Sequence, residues 1–138
     1  MNVINEKLAL EKLKDGLPVI FQTDTLPAIG CLPKFSEIIY ETKKRNKNKP
    51  LILMGSDTSQ LQEFIHQSAL EDYQKISSKY WPGALTIVIP ISEEKRLSFD
   101  SRKHTLGIRI PNSKMAKSLI NETGPLLTSS ANLSGIKS

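Results

Sequence analysis

The most chemically suggestive stretch of this sequence is a run of cations between residues 43 and 49. Lys43, Arg45, Lys47 and Lys49 alternate with other residues there, and no acidic residue interrupts them. In an extended backbone, alternate side chains share one face, so these four cations would line one edge about 7 Å apart. This spacing suits a row of phosphate oxygens. A solvated basic loop between a helix and a strand is the other interpretation.

A second polar cluster, Thr23-Asp24-Thr25, follows the short apolar run of residues 18–21. In an extended backbone, both hydroxyls point to one side and Asp24 points to the other. Two hydroxyls can orient a small polar substrate, and a carboxylate can receive an ammonium group. An Asx turn or a Ser/Thr turn that closes a strand is the alternative.

Arg109 lies between Ile108 and Ile110 in an apolar segment that predicts a strand. A buried arginine needs an anionic partner because its charge cannot be neutralised. That partner is either a carboxylate of the protein or a carboxylate of a substrate, and the sequence leaves both open.

A third polar cluster, residues 128–135, is dense in short donors and acceptors and ends in Gly135. Such a loop can present hydroxyls and backbone N–H groups to phosphate oxygens, and a capped turn is the alternative. It contains neither a Walker loop nor a Gly-x-Gly-x-x-Gly motif.

Composition narrows the possible partners. The 138 residues carry a formal net charge of +5, which favours an anionic partner such as a nucleotide or a nucleic acid.

The single cysteine, Cys31, excludes an internal disulfide, and its apolar context predicts a core residue. With no signal peptide and no apolar run long enough to span a bilayer, we expect a cytoplasmic protein without a membrane partner. His66, His104 and Cys31 do not have the spacing of a metal site.

Helical and strand patterns alternate along the chain, which predicts an α/β domain with a mixed sheet. We expect a single domain over residues 1–138. The expected helices comprise one around Ile4 to Leu13, one capped by Ser36 with Ile38, Ile39 and Thr42 facing inward, one that begins at residues 56–58, one over residues 70–80, and one capped by Asn112 or Ser113. The expected strands are residues 18–21, 51–54, 84–91 with Thr86 embedded, 105–111, and one that begins at residue 126. Residues 81–83 predict a turn, and the polar segment of residues 92–103 predicts a mobile loop.

Taken together, the clusters resemble the YrdC-like threonylcarbamoyl-AMP synthase family. Five motifs in the order and spacing of the family carry the resemblance: residues 23–25 with Gly30 and Cys31, residues 43–45 with 49–51, residues 81–86, residues 107–111 and residues 129–135. They extend over nearly the whole chain.

The resemblance implies a YrdC-like twisted α/β sheet, flanked by helices, around a basic central cavity. It also implies the conversion of L-threonine, bicarbonate and ATP to threonylcarbamoyl-AMP and pyrophosphate, for tRNA threonylcarbamoyladenosine modification. Magnesium would bridge the phosphates, and tRNA or tRNA-modification proteins are expected partners. The resemblance also implies the site residues. The ATP phosphates would be bound by Lys43, Arg45 and Lys49, of which Lys43 and Arg45 would be catalytic, and the nucleotide by Ser130 and Asn132, with Ser129 and Ser134 as further candidates. Threonine would be bound by Thr23, Thr25 and Arg109, and Thr86 would face the cavity.

The sequence departs from the family pattern in several places. Gln22 replaces a frequent proline, Pro27 and Ala28 stand in place of tyrosine and glycine, and Ala84 replaces a second proline. The chain ends three residues after Gly135, before the usual C-terminal extension, so we expect a short member or a truncated chain. The alternative function is a non-catalytic module of the same fold that binds nucleotide or RNA. RNA-binding modules usually interleave aromatic and basic residues, and residues 43–49 contain no aromatic residue.

Overall fold

The computed structural model describes residues 5–44, 49–99 and 103–131. These residues form a mixed sheet of six strands with six α-helices, which confirms the predicted fold class. The helices are α1 (Glu6–Lys14), α2 (Glu37–Lys43), α3 (Thr58–Gln62), α4 (Leu70–Tyr80), α5 (Glu93–Phe99) and α6 (Lys114–Thr123). The strands are β1 (Val19–Phe21), β2 (Ala28–Cys31), β3 (Ile52–Met54), β4 (Ile87–Pro90), β5 (Thr105–Arg109) and β6 (Leu126–Ser130). Short 3₁₀ turns cover Pro33–Phe35 and Gln67–Ala69.

The strand order across the sheet is β1-β2-β6-β3-β5-β4. The central strands β3 and β5 are parallel, and the other neighbouring pairs are antiparallel. The last strand, β6, is inserted between β2 and β3, with Thr128 opposite both Gly30 and Ile52. The polar end of β6 is thereby placed inside the sheet, next to segments that are distant in sequence.

Side chains alternate between the two faces of each strand and feed two hydrophobic cores. One face packs Leu53, Ile108 and Leu127 against Ile39 of α2 and Tyr73 of α4. We call it the sealed face, because helices α2, α3 and α4 contribute to its core.

The opposite face, which we call the site face, is only partly covered. Met54 and Leu126 pack there against Leu13 of α1 and Ile120 of α6. Val88 of the edge strand β4 is 68% exposed. The strand register places Gly107, Arg109, Thr128 and Ser130 on this same face.

Capping side chains define several helix starts. Asn5, Asp57 and Ser113 each accept a hydrogen bond from the third residue that follows, which satisfies a backbone N–H group of the first turn. The prediction for Ser36 was wrong: its side chain makes no capping bond, because its backbone is already helical after the turn at Pro33–Phe35. Thr42 is exposed, and Lys43 is the buried residue of that last turn.

Two other predicted elements need correction. Residues 93–99, expected as part of a mobile loop, form helix α5, in which Arg96 donates to Glu93 over 2.8 Å. Strand β4 begins at Ile87, so Thr86 precedes the strand and is not embedded in it.

Gly55, directly after β3, allows the close approach of α3. A Cβ atom at this position would lie 2.6 Å from Cγ of Leu61, which is fully buried. No helix in the described part of the chain is long and apolar enough to cross a membrane.

Candidate functional site

Lys43 is the last residue of α2 and is 4% exposed. Its Nζ atom donates to Oγ of Ser129 over 2.9 Å and to the carbonyl oxygen of Ser130 over 2.6 Å. The negative end of the helix dipole favours a cation here. The side chain thus joins the end of α2 to the end of β6, with its ammonium group held at the end of the sheet.

The prediction that Lys43 begins an extended basic edge was wrong, because Lys43 is helical and Lys44 adopts a left-handed conformation (φ 53°). Arg45 lies outside the described residues, as do residues 46–48. Lys49 is exposed, and its carbonyl oxygen accepts from the hydroxyl of Tyr40 over 3.3 Å.

The Thr23-Asp24-Thr25 cluster forms a hydrogen-bonded turn between β1 and β2. Oγ1 of Thr23 accepts from the backbone N–H of Thr25 over 3.0 Å and donates to the carbonyl oxygen of Leu26 over 2.8 Å. The two threonine hydroxyls lie 3.2 Å apart. This is the Ser/Thr turn that the sequence offered as an alternative, and it fixes the backbone on both sides of Asp24.

Arg109 ends β5 and is 7% exposed. Its guanidinium donates from Nη2 to Oδ1 of Asp24 and, over 3.0 Å, from Nη1 to Oγ1 of Thr25. Nε donates to the carbonyl oxygen of Gly83 over 2.9 Å. Of the two partners that the sequence left open, the structure contains a protein carboxylate, Asp24.

The turn at residues 81–83 is attached to the end of β5. The backbone N–H of Gly83 donates to the carbonyl oxygen of Ile110 over 2.9 Å, while its own carbonyl oxygen accepts from Arg109. Trp81 packs edge-on against the buried Tyr73, with ring centroids 5.9 Å apart. The turn therefore holds the arginine through Nε, while Asp24 holds it through Nη2.

The polar end of β6 is more regular than predicted. Ser129 and Ser130 continue the strand, where a loop was expected. Thr128 is buried and donates from Oγ1 to the carbonyl oxygen of Ile52 over 2.9 Å. Ser130 is exposed. The other predicted nucleotide contacts, Asn132 and Ser134, lie outside the described residues, as does Gly135.

A cavity of about 430 Å³ lies where β3 and β5 begin. Thr86 lines it, whereas Lys43 and Arg109 do not. Its other lining residues come from α2, β3, β4, β5, β6 and the segments next to them: Ser36, Glu37, Tyr40, Pro50, Leu51, Ile52, Val88, Ile91, Lys103, Thr105, Leu106, Gly107 and Leu127. The lining is mainly apolar and includes one cation and one acid. Tyr40 connects the cavity to Lys49 through its hydroxyl.

Cys31 is a core residue, as predicted. Its side chain is fully buried in β2, and burial raises the pKa of its thiol to about 12. A thiol that stays protonated in this way is a poor nucleophile, so Cys31 takes no part in the candidate site.

The structure therefore assembles two clusters. One joins Asp24, Thr25 and Arg109, and the other joins Lys43, Ser129 and Ser130. Sequence reasoning singled out most of these residues but did not pair Asp24 with Arg109, because no local pattern links residues 85 positions apart. It also missed the carbonyl oxygen of Gly83, since backbone acceptors leave no trace in side-chain composition.

Fold and site together define an α/β domain that holds two buried cations where its helices and strands end. Residues 11–138 match the model of the Sua5/YciO/YrdC family, which carries the description "telomere recombination". The chain belongs to the Sua5/YciO/YrdC family, which confirms the resemblance drawn from its motifs.

Curated relatives point in the same direction. The chain is 34% identical over 128 residues to threonylcarbamoyl-AMP synthase of Bacillus subtilis, covering 89% of this chain and 37% of that protein. It is 32% identical over 140 residues to threonylcarbamoyl-AMP synthase of Vibrio vulnificus, covering 96% of this chain and 74% of that protein. Both relatives thus carry the name threonylcarbamoyl-AMP synthase.

Solved structures extend the comparison. The fold matches P. abyssi Sua5 complexed with L-threonine with a TM-score of 0.86 and 29% identity, over 99% of this chain and 42% of that one. E. coli YciO, at 22% identity and a TM-score of 0.73, shares the fold. The chain spans less than half the length of the Bacillus and P. abyssi proteins.

Proposed function

We propose that this chain forms threonylcarbamoyl-AMP and pyrophosphate from L-threonine, bicarbonate and ATP. The observation that carries the proposal is the burial of two predicted cations, Lys43 and Arg109, each held by hydrogen bonds to a neighbouring strand or loop. The relatives named threonylcarbamoyl-AMP synthase and the similarity to a Sua5 complexed with L-threonine support it.

The chemistry requires two new bonds. The threonine nitrogen, after losing a proton, bonds to the carbon of bicarbonate, and one bicarbonate oxygen leaves as water. An oxygen of the resulting carbamate bonds to the α-phosphorus of ATP, and the bond from that phosphorus to the bridging oxygen breaks, which releases pyrophosphate. Negative charge grows on the leaving group, so a fixed cation near it lowers the barrier.

Lys43 is the candidate for this electrostatic role. Hydrogen bonds to the end of β6 hold its ammonium group in place before any ligand arrives, and preorganised charge of this kind needs little rearrangement during the reaction. Arg45, Lys49, Ser130 and Asn132 remain proposed contacts of the phosphates and nucleotide.

We assign the cavity beside β3 and β5 to the nucleoside of ATP. Its volume of about 430 Å³ lies in the usual range for small-molecule sites. Its lining is mainly apolar, which suits a purine ring, and Tyr40 places it beside Lys49.

Arg109 is the candidate for the threonine carboxylate, with Thr25 beside it and Thr23 supporting the turn. A planar guanidinium can bind a carboxylate through two parallel hydrogen bonds. Orienting the amino acid in this way reduces the entropy cost of bringing its nitrogen to the reacting carbon.

Magnesium would arrive with ATP as part of the substrate. Among the described residues, no group of three His, Cys, Asp or Glu side chains forms a metal site. Magnesium commonly takes many of its ligands from substrate phosphates and water. The proposal therefore assigns no protein ligand to it.

The test is pyrophosphate release from ATP in a series of reactions that each omit one component. We expect release only when L-threonine, bicarbonate and magnesium are all present. ATP binding without release, together with salt-sensitive RNA binding, would instead support a non-catalytic binding module.

A further inference from the structure

The ion pair between Asp24 and Arg109 leaves binding capacity on both partners. Arginine has five N–H donors, and the bonds to Asp24, Thr25 and Gly83 use three of them. Within residues 5–44, 49–99 and 103–131, Oδ1 of Asp24 accepts from Arg109, and Oδ2 has no hydrogen-bond partner. Donors and an acceptor are thus available side by side.

Asp24 is positioned but not enclosed. Its side chain is 18% exposed, against 9% for that of Arg109. The bonds that Thr23 makes to Thr25 and Leu26 fix the turn on either side of it. A ligand can therefore approach the carboxylate from solvent, while the backbone keeps it next to the guanidinium.

We infer that Asp24 makes this site selective for a zwitterionic α-amino acid. The two remaining N–H groups of Arg109 would take the α-carboxylate, and Oδ2 of Asp24 would take the α-ammonium group. This inference rests on the proposed function and deepens it, since it names the group that recognises the amine of the substrate.

Charge balance gives the inference a measurable consequence. The Asp24–Arg109 pair is neutral overall, and so is a zwitterion. A carboxylate without an amine adds a net negative charge close to Asp24, and like charges at this distance repel. Asp24 therefore favours the amino acid and opposes its analogue without the amine.

The substitution Asp24→Asn keeps the shape of the side chain and removes its charge. L-Threonine should then bind about ten-fold more weakly, because a charge-assisted hydrogen bond to its ammonium group is lost. 3-Hydroxybutanoate, which is threonine without its amine, should bind several-fold more tightly, since Arg109 loses its competing anion. A purely structural role for Asp24 would weaken both ligands alike.

The experiment is calorimetric titration of both ligands into the wild-type chain, Asp24→Asn and the control Glu71→Gln. The control removes one negative charge from an exposed pair with Lys75. We expect the ratio of the two dissociation constants to change at least ten-fold in Asp24→Asn and to stay unchanged in Glu71→Gln. An unchanged ratio in Asp24→Asn would overturn the inference.

The affinities of the wild-type chain for the two ligands test the inference without any variant. This chain should bind L-threonine about ten-fold more tightly than 3-hydroxybutanoate. Equal affinities would overturn the inference even if Asp24→Asn did not fold. Binding of neither ligand would contradict the proposed function, and the inference with it, whereas tight threonine binding with no selectivity would contradict the inference alone.

Discussion

The two faces of the sheet are built from the same strands but differ in what they can do. Along β5, Leu106 and Ile108 enter the sealed core, while Gly107 and Arg109 lie on the site face. A strand places successive side chains on opposite sides, so one short segment supplies packing and chemistry together. The sealed face holds the strands in register, and this register sets the positions of the polar groups on the other face.

The residues that pack the sealed face and the residues of the candidate site should respond differently to substitution. Substitutions on the sealed face should change stability, and substitutions at the site should change ligand binding, except where a buried charge contributes to both. Arg109 and Lys43 are such exceptions.

The largest effect is expected for Arg109→Ala. It removes the partner of Asp24 and leaves a partly buried carboxylate, so unfolding should become easier by about 3 kcal/mol. L-Threonine binding should be lost in the fraction that remains folded. Denaturant unfolding and calorimetry measure the two effects.

Two variants sharpen that result. Arg109→Lys keeps the charge but not the planar fork, so it should recover stability more than threonine binding. Lys75→Ala removes a cation from an exposed pair and should cost no more than about 0.5 kcal/mol. Recovery of threonine binding along with stability in Arg109→Lys would argue for a purely structural arginine.

The next largest effect is expected for Lys43→Ala, which should weaken ATP binding. Loss of a charge-assisted contact should weaken ATP binding about ten-fold to a hundred-fold, with threonine binding unchanged. Lys44→Asn is the matched control, because it removes a neighbouring exposed cation and asparagine tolerates the left-handed conformation of residue 44. Equal losses in the two variants would show that only overall charge matters.

The sealed face is tested by Gly55→Ala, whose new methyl group would collide with Leu61. Overpacking of this kind typically costs about 1–3 kcal/mol. Gly107→Ala is the comparison on the site face, where the nearest atom, Cγ2 of Thr86, would lie 3.4 Å away. Thermal unfolding should show a clear loss for Gly55→Ala and little change for Gly107→Ala, and the reverse order would contradict the assignment of the two faces.

Ionisation of Cys31 and Tyr73 should have the smallest effect on stability at ordinary pH, and this effect should grow as the pH rises. Burial raises the pKa of both groups to about 12, from 9.0 for the thiol and 10.0 for the phenol, and the charge of Asp57 adds to the shift of Tyr73. Above pH 9 the unfolded chain loses the thiol proton while the folded chain keeps it. The free energy of unfolding should therefore fall with pH, by up to about 1.4 kcal/mol per pH unit for each group.

The same measurement on Cys31→Ala isolates the thiol. In this variant the fall should begin near pH 10, where the unfolded tyrosine starts to ionise. A wild-type chain of constant stability from pH 9 to 11 would show that the two groups are accessible to water.

Much of the fold could be predicted from sequence because its signals are local. The helix at residues 70–80 has an amphipathic pattern, and the apolar run of residues 51–54 contains strand β3. Strand β2 was not predicted, because it is short and contains Gly30, a residue that is depleted in strands. Helix α5 was missed because its first turn is acidic and its sequence largely polar, so no apolar stripe reveals it.

The candidate site could be predicted in residue types but not in pairings. Lys43 was singled out as a cation, yet its bonds to Ser129 and Ser130 depend on how α2 meets β6. The pairing of Asp24 with Arg109 likewise depends on the strand order. Contacts of this range follow from the packing of the whole sheet and not from any short motif.

The most direct test of the account is the identity of the product formed from ATP, L-threonine and isotopically labelled bicarbonate. Mass spectrometry should detect threonylcarbamoyl-AMP that carries the label, formed together with an equal amount of pyrophosphate. ATP hydrolysis without a labelled adenylate, or no turnover by a folded chain that binds both ATP and threonine, would contradict the proposed synthase activity.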